Sequence, residues 1–511
     1  MFYFSKSKYC DFCDCPKLAW LNRYKPEEYY IDDATKARME MGSIVGDIAM
    51  GYFGDYVEVS MYNGERLDLN RMIERTKQEI AKNTPVICEA SFEYNGLYCA
   101  VDILKKENGG WAIYEVKSST HTDKPRYIND VAYQKYVLEK CGINVTGTYV
   151  MCLNNQYIYD GKNLDIQQLF RYDDVSESVA KKLPEVEGDL ERAKSFLEDK
   201  NEPSIPLGLQ CENPGDCAYW GYCTRNLPKP NVFDLYRTSM KNKCDLYNRG
   251  LVDIASLEGE PTITGEIQKR QIDFALHDKG TYVNKEEISK FLDTLSYPLY
   301  FLDFESVQPA VPKYAGTKPY TQVPFQYSLH YIEKEGGELK HKEFLAQAGT
   351  DPLRDIAEAL CRDIPADACV TAYNKAFECT RIKELAGYFP DLSAHLLSIF
   401  DNIVDLLIPF QSGWYYNREM GGSFSIKSVL PALFPCDPSL DYHSLNGIHN
   451  GGEAMNAFPA MEKMSAEELE QTRKNLLEYC KLDTFAMVKV WEKLREEAEC
   501  ETAQTHLRRY M

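Results

Sequence analysis

Residues 99–138 read CAVDILKKENGGWAIYEVKSSTHTDKPRYINDVAYQKYVL, and this stretch decides how the first half of the chain folds. An apolar start carries Asp102, a polar turn follows at Glu107-Asn108-Gly109-Gly110, and a second apolar run extends from Trp111 to Lys117. The pattern predicts two strands of a hairpin. Side chains alternate faces along a strand, so Glu115 and Lys117 point one way while Val116 enters the core. An Asp on one strand and a Glu-x-Lys on its partner therefore meet at one spot. Two carboxylates there can hold a hard divalent cation through oxygen, and a neighbouring ammonium can steady a water or a phosphate oxygen. Such a site suits metal-assisted phosphodiester hydrolysis. A lone Glu-x-Lys is ordinarily a solvated face with a cross-strand ion pair, and the preceding Asp at hairpin distance sets this one apart.

A helix is expected next, over 127–139, with Asp130, Gln134 and Tyr136 in its first turns. With that helix the stretch resembles the PD-(D/E)XK nucleases of the RecB-like group. The resemblance implies metal ligation by Asp102 and Glu115, catalysis by Lys117 and placement of DNA by Gln134. Upstream, residues 33–54 read as a helix with Gly42 and Gly46 on one side. The matching helix of the RecB-like group presents a metal-binding His four residues after a Gly, where this chain has Gly46, followed by Asp47. The metal would then rest on Asp102, Glu115 and a backbone carbonyl. Asp47 reads as a solvated helix residue. Glu89, on a strand before Asp102, is able to approach the site but reads first as half of a structural ion pair.

The chain has 511 residues, enough for two or three domains with full cores. Its 44% apolar and 27% charged residues are ordinary for a soluble globular protein. No run of apolar residues is long enough for a membrane span, and the amino terminus lacks a signal-peptide pattern, so the expected location is the cytoplasm. The 17 cysteines, an odd number in a long chain, point to thiols or metal ligands rather than a disulfide framework. A net charge of −20 argues against a high-affinity non-specific nucleic-acid binder, since phosphate neutralisation supplies most of that affinity. It leaves room for a nuclease with local basic grooves.

Cys10, Cys13 and Cys15 crowd near the start, and far downstream Cys211, Cys217 and Cys223 follow one another with five residues between each. Regular spacing in a Pro/Gly-containing loop favours a metal over unrelated thiols. One early and three late cysteines around this core resemble the iron–sulfur RecB-like exonucleases, including the group used in CRISPR adaptation and related helicase–nuclease subunits. There a [4Fe-4S] cluster clasps the ends of the nuclease domain. The Cys15-Pro16-Lys17 context matches the first ligand, so the resemblance implies ligation by Cys15, Cys211, Cys217 and Cys223, with Cys10 or Cys13 as fallback. Zinc is the alternative metal.

Residues 163–200 read as a charged amphipathic helix, and the Pro-rich joint at 226–231 marks a boundary. Residues 232–292 look helical and polar, with Lys241, Lys243, Arg249, Lys269 and Arg270, and read as a linker, with contact to a nucleic-acid backbone as the alternative. From Tyr297 an apolar strand ends in Asp303-x-Glu305, both acids on one face. A strand at Val370-Thr-Ala-Tyr then runs into a helix with Asn374, Phe377 and Glu378. Near the end Tyr479 and Asp483 share one face of an amphipathic helix. Each pattern alone is commonplace; the three together, each joined to an apolar element, are not. Four carboxylates suit two divalent ions roughly 4 Å apart, one activating the attacking water and the other stabilising the leaving oxygen.

This order resembles the DEDD, DnaQ-like 3′–5′ exonucleases of the RNase H fold. The resemblance implies Asp303, Glu305, Glu378 and Asp483 as ligands and Tyr479 as the residue orienting the water. The third acid departs from the family, being Glu378 after a shortened spacing from Asn374. More broadly, YFLDFES, PFQYSLH, YNKAFE, GSFSIKSVLP and EYCKLDT resemble an uncharacterised bacterial domain family that follows an iron–sulfur RecB-like domain in one polypeptide. Lys427 is a candidate phosphate contact or a plain helix-surface lysine. His330, His443 and His449 read as polar or loop residues. Phe325 and Tyr327 read as sheet core, and Trp414-Tyr415-Tyr416 as possible stacking surfaces for bases.

The expected fold is α/β, with two mixed-sheet nuclease domains (PD-(D/E)XK restriction-endonuclease-like and RNase H-like) joined by a helical connector. The expected boundaries are 1–226, connector 227–293, 294–498 and a tail 499–511. The expected activity is Mg²⁺- or Mn²⁺-dependent hydrolysis of DNA, with RNA as a lesser substrate. Two alternatives stand beside it: a first domain that binds DNA without cutting, and a non-enzymatic zinc-containing scaffold.

Overall fold

The computed structural model of the protein describes residues 4–211 and 217–499. The chain is mixed α/β and divides into two compact units, Met1–Arg225 with Pro309–Thr321, and Asn226–Gln308 with Gln322–Met511.

The first unit is built on one mixed sheet. Its strand order is Val57–Glu58, Val86–Tyr94, Leu97–Glu107, Gly110–Lys117, Val145–Leu153 and Phe170–Asp174, with the short strand Phe4–Ser5 paired parallel to the start of Leu97–Glu107. Asn108 and Gly109 both have positive φ, 52° and 76°, and close the expected turn as a two-residue hairpin. The helix Pro125–Lys140 carries the chain from Gly110–Lys117 to its parallel neighbour Val145–Leu153. Strand alternation sends Ile113 towards a core shared with Val131, Tyr133 and Val137 of that helix. Ala112 and Tyr114 face the opposite core, shared with Val45 and Ala49 of the helix Asp33–Ala49. Glu115 thus emerges on the face of Ile113, beneath Pro125–Lys140.

Residues 163–200 depart from the expected single helix. A short helix and the strand Phe170–Asp174 precede the helix Ser176–Glu198, because the strand pairs with Val145–Leu153 and extends the sheet.

The second unit holds a five-stranded sheet in the order Lys340–Leu345, Val323–Ile332, Leu299–Val307, Cys369–Ala372 and Ile403–Asp405. The first three are antiparallel, and the last two run parallel to the central Leu299–Val307. The 34-residue helix Ala466–Glu499 packs Met487, Val488 and Trp491 against Leu299 and Phe301 of the central strand. Phe325 and Tyr327 are fully buried, as expected of sheet core. Tyr415 and Tyr416 are buried too, on a strand Tyr415–Asn417 paired with Thr281–Val283, so neither offers a face for bases.

Two boundaries need correction. The expected connector is part of the second unit: Val232, Leu235, Leu246, Ile254, Leu257 and Ile272 build their own core, and Tyr236 and Phe274 pack with Tyr416. Residues 309–321 lie inside the expected second domain yet belong to the first unit, where Ala310, Val311 and Tyr320 join the core beneath the sheet. Of the expected tail, Glu499 ends the last helix, and the remainder lies outside the described residues. Among the described residues, no helix is long and apolar enough to cross a membrane.

Candidate functional site

The strand Leu299–Val307 delivers Asp303 and Glu305 to one face, and the helix Ala466–Glu499 lays Asp483 against them. One ligand atom from each of Asp303, Glu305 and Asp483 lies within 4.8 Å of the others. Among the described residues, no other three His, Cys, Asp or Glu side chains come so close. Burial drives the Asp303 and Glu305 carboxyls well above the usual range, and Asp483 repels both. Asp483 is lifted to about 6 by burial, against hydrogen bonds from Tyr442 and Tyr479.

Glu378 stands at the edge of this group. It adds its repulsion to Asp303 and Glu305 but is not within the tight trio. Burial lifts it to about 8, and its Oε2 is buried with no hydrogen-bond partner. A buried carboxylate oxygen without a partner is costly, and a cation is one way to satisfy it. The four acids therefore suit divalent cations by both donor type and charge.

Several supports were not legible beforehand. Asp405 accepts from the backbone N–H groups of Asn374 (2.9 Å) and Lys375 (3.2 Å), pinning the turn that launches the helix Ala376–Tyr388 with Glu378. Tyr442 donates to Asp483 Oδ1 at 2.7 Å. Cys480 Sγ is 3.8 Å from Asp303 Oδ2. Tyr479 is buried beside Asp483, with burial and the surrounding carboxylates pushing its hydroxyl far upward. Tyr442 and Lys427 also line a cavity of about 780 Å³ with Phe434, His443, His449 and Asn450. Lys427 draws the Glu305 and Asp483 carboxyls down, so a cation faces the cluster from the cavity wall. His330 stands apart, buried against Thr484 at 2.8 Å and pushed down to about 3 by burial.

Residues 300–425, across the central strand and Glu378, match a family described as a domain of unknown function, DUF2779. That match spans about a quarter of the chain. Among curated proteins, "Uncharacterized protein MG366 homolog" of Mycoplasma pneumoniae is 24% identical over 230 residues, covering 42% of this chain and 34% of that protein. "Uncharacterized protein UU173" of Ureaplasma parvum serovar 3 is 22% identical over 449 residues, covering 78% of this chain and 62% of that protein. The chain thus spans less than two thirds of either relative. No solved structure matches.

In the first unit the register that pairs Ile103 with Tyr114 puts Asp102 beside Glu115. Lys117 donates to Glu115 Oε1 and to Asp130 Oδ2, both at 2.7 Å. Gln134 Nε2 donates to Glu115 Oε2 at 2.6 Å and to Asp130 Oδ1 at 2.9 Å. Gln134 is fully buried; its amide nitrogen bridges Glu115 and Asp130, while its Oε1 has no hydrogen-bond partner. Tyr136 points away and donates to Glu187 at 3.1 Å. Lys6 also donates to Glu115, a partner that the sequence pattern did not signal. Burial lifts Glu115 to about 7, with Asp102 and Asp130 adding and Lys117 and Lys6 opposing. Glu89 has φ of 57° within its strand, between the paired residues Cys88 and Ala90, and burial with Asp102 as neighbour lifts it to about 7. It is an electrostatic neighbour of Asp102 rather than the expected half of an ion pair. At Gly46 a Cβ would meet nothing within 4 Å, and Asp47 is exposed.

Cys15, Cys211, Cys217 and Cys223 are each half-buried. Burial pushes the Cys223 thiol to about 11, and Cys217, Cys211 and Cys15 add to the rise. The four are electrostatic neighbours, yet less tightly drawn together than the carboxylate trio. Cys10 lies by Asp130 and Arg126 and Cys13 by Tyr9 and Asp189, whereas Cys15 has Cys217 as an electrostatic neighbour.

Proposed function

We propose that the protein is a metal-dependent nuclease that hydrolyses phosphodiester bonds at Asp303, Glu305, Glu378 and Asp483. What carries this reading is the convergence of Asp303, Glu305 and Asp483 within 4.8 Å, beside the buried and unpartnered Oε2 of Glu378. Bound Mg²⁺ or Mn²⁺ would supply Lewis acidity and an activated water. The chain's own residues supply the rest. Tyr442 and Tyr479 both hold Asp483 by hydrogen bonds, and Tyr479, beside the acids, offers a hydroxyl to orient the water. Lys427, on the wall of the adjoining cavity, is placed to meet a phosphate oxygen.

DNA is the favoured substrate over RNA, with attack at single-stranded ends, in repair or in defence against foreign DNA. These refinements rest on the resemblance of the motifs to RecB-like and DEDD nucleases. So does a [4Fe-4S] cluster on Cys15, Cys211, Cys217 and Cys223, with zinc as the alternative. A second reading, in which the first unit binds nucleic acid without cutting it, is favoured by the donors that crowd Glu115.

The test is digestion of end-labelled single- and double-stranded DNA and RNA with Mg²⁺, Mn²⁺ or chelator. Wild type, Asp303→Ala and Lys117→Ala are run in parallel. Cleavage lost only in Asp303→Ala assigns cutting to the second unit; cleavage unaffected by Asp303→Ala sinks the proposal.

A further inference from the structure

Lys6 is the first residue of the helix Lys6–Asp14, directly after the strand Phe4–Ser5. That strand pairs with Leu97 and Tyr98, and the carbonyl of Phe4 accepts from the buried Tyr133 hydroxyl at 2.5 Å. The backbone at Lys6 is therefore fixed to the sheet rather than trailing from it. Its Nζ lies 2.9 and 3.1 Å from the two oxygens of Glu115 and 3.4 Å from Asp102 Oδ1. A divalent ion shared by Asp102 and Glu115 would occupy that same point.

The acceptor count closes around it. An ionised carboxylate offers about four lone-pair sites. Glu115 receives Lys6 on both oxygens, Lys117 on Oε1 and Gln134 on Oε2. The second Asp102 oxygen accepts from the Val116 N–H at 2.7 Å. Two ammonium groups, Lys6 and Lys117, already stand among the carboxylates of Asp102, Glu115 and Asp130 and offset most of their charge. Burial alone would lower Lys6, but Asp102, Glu115 and Asp130 hold its ammonium well above the ordinary lysine value. The residues present do not fit the metal that the RecB-like resemblance implies here.

We infer that Lys6 is the resident cation of the first unit, bridging Asp102 and Glu115 so that this pair takes a divalent ion only when Lys6 is displaced. This inference does not depend on hydrolysis by the second unit.

The experiment counts Mn²⁺ bound per full-length chain by electron paramagnetic resonance, throughout in an Asp303→Asn background that holds the second cluster constant. With Lys6 intact, Glu115→Gln and Asp102→Asn should leave the number of bound ions unchanged. Lys6→Met should gain one ion per chain, at least about tenfold tighter than any residual binding there, because a repelling charge has gone. Adding Glu115→Gln to Lys6→Met should abolish the gain. Lys6→Met should also melt lower in chelator and recover in Mn²⁺. A bound ion lost from the Lys6-containing chain on Glu115→Gln or Asp102→Asn overturns the inference, as does a folded Lys6→Met that gains no ion. Should Lys6→Met not fold in either medium, the count in the Lys6-containing chains decides.

Discussion

Raising the pH of a chelator-treated solution should destabilise the second unit, and Mn²⁺ should remove the effect. The reason lies in the protons its carboxylate cluster holds when folded. Glu378 rises from 4.5 to about 8 on folding, and Asp483 from 3.8 to about 6. Between the unfolded and folded values the native chain keeps a proton that the unfolded chain has released, so stability falls as pH rises. The contribution is fully present below about pH 4 and is lost by about pH 8. At about 1.4 kcal/mol per pH unit, the 3.5-unit window of Glu378 amounts to about 5 kcal/mol. That is comparable with the whole stability of many domains. Cation binding requires ionised carboxylates, so bound Mn²⁺ makes their protons irrelevant and flattens the profile. Urea unfolding monitored at pH 5, 6, 7 and 8, with chelator and with Mn²⁺, reads both slopes. Asp303→Asn, which removes one of the mutually repelling charges, should raise the pH 8 stability in chelator. A chelator profile that is flat or climbs over this range, or an identical fall in Mn²⁺, refutes the reasoning.

Three smaller perturbations probe other parts of the structure. Tyr442→Phe deletes the 2.7 Å hydrogen bond to Asp483 and should slow cleavage by about tenfold or more, with the melting temperature little changed. Phe325→Ala empties a fully buried site stacked on Phe458 at 4.1 Å between centroids, and should cost about 3–5 kcal/mol by urea midpoint. Glu89→Gly relieves a left-handed backbone, φ 57°, beside Asp102; calorimetry should show the first unit gaining about 1 kcal/mol, whereas a loss would mean that the carboxylate itself stabilises the fold.

The hairpin around Asp102 and Glu115 was legible because its signals are local: alternation, an apolar run and a polar turn. The same holds for Asp303 and Glu305 on one strand face and for Tyr479 and Asp483 one helical turn apart. What escaped was contributed at long range by residues whose types are uninformative in isolation. Lys6 in a Ser-Lys-Ser stretch looks like any surface lysine, and it reaches its partner only because Phe4–Ser5 pairs with a strand more than ninety residues on. Tyr442 sits in a Pro/Asp-rich loop with no periodic pattern, and Asp405 reads as a plain strand end. The strand Phe170–Asp174 was hidden by the charged residues around it, its sheet pairing overriding local propensity. The connector misread has a similar cause: its apolar residues are too sparse to signal a core until Tyr236, Phe274 and Tyr416 are brought together.

The thirteen residues of Pro309–Thr321 make the first unit discontinuous in sequence. A fragment ending at Arg225 would therefore be missing Ala310, Val311 and Tyr320, with a hole in its hydrophobic interior and Ser118 deprived of the Tyr320 hydroxyl 2.7 Å away. Cutting the chain after Arg225 would then leave the first unit without part of its core. Dissection into halves calls for point substitutions in the intact polypeptide, or for a short synthetic linker grafting 309–321 back onto the amino-terminal piece.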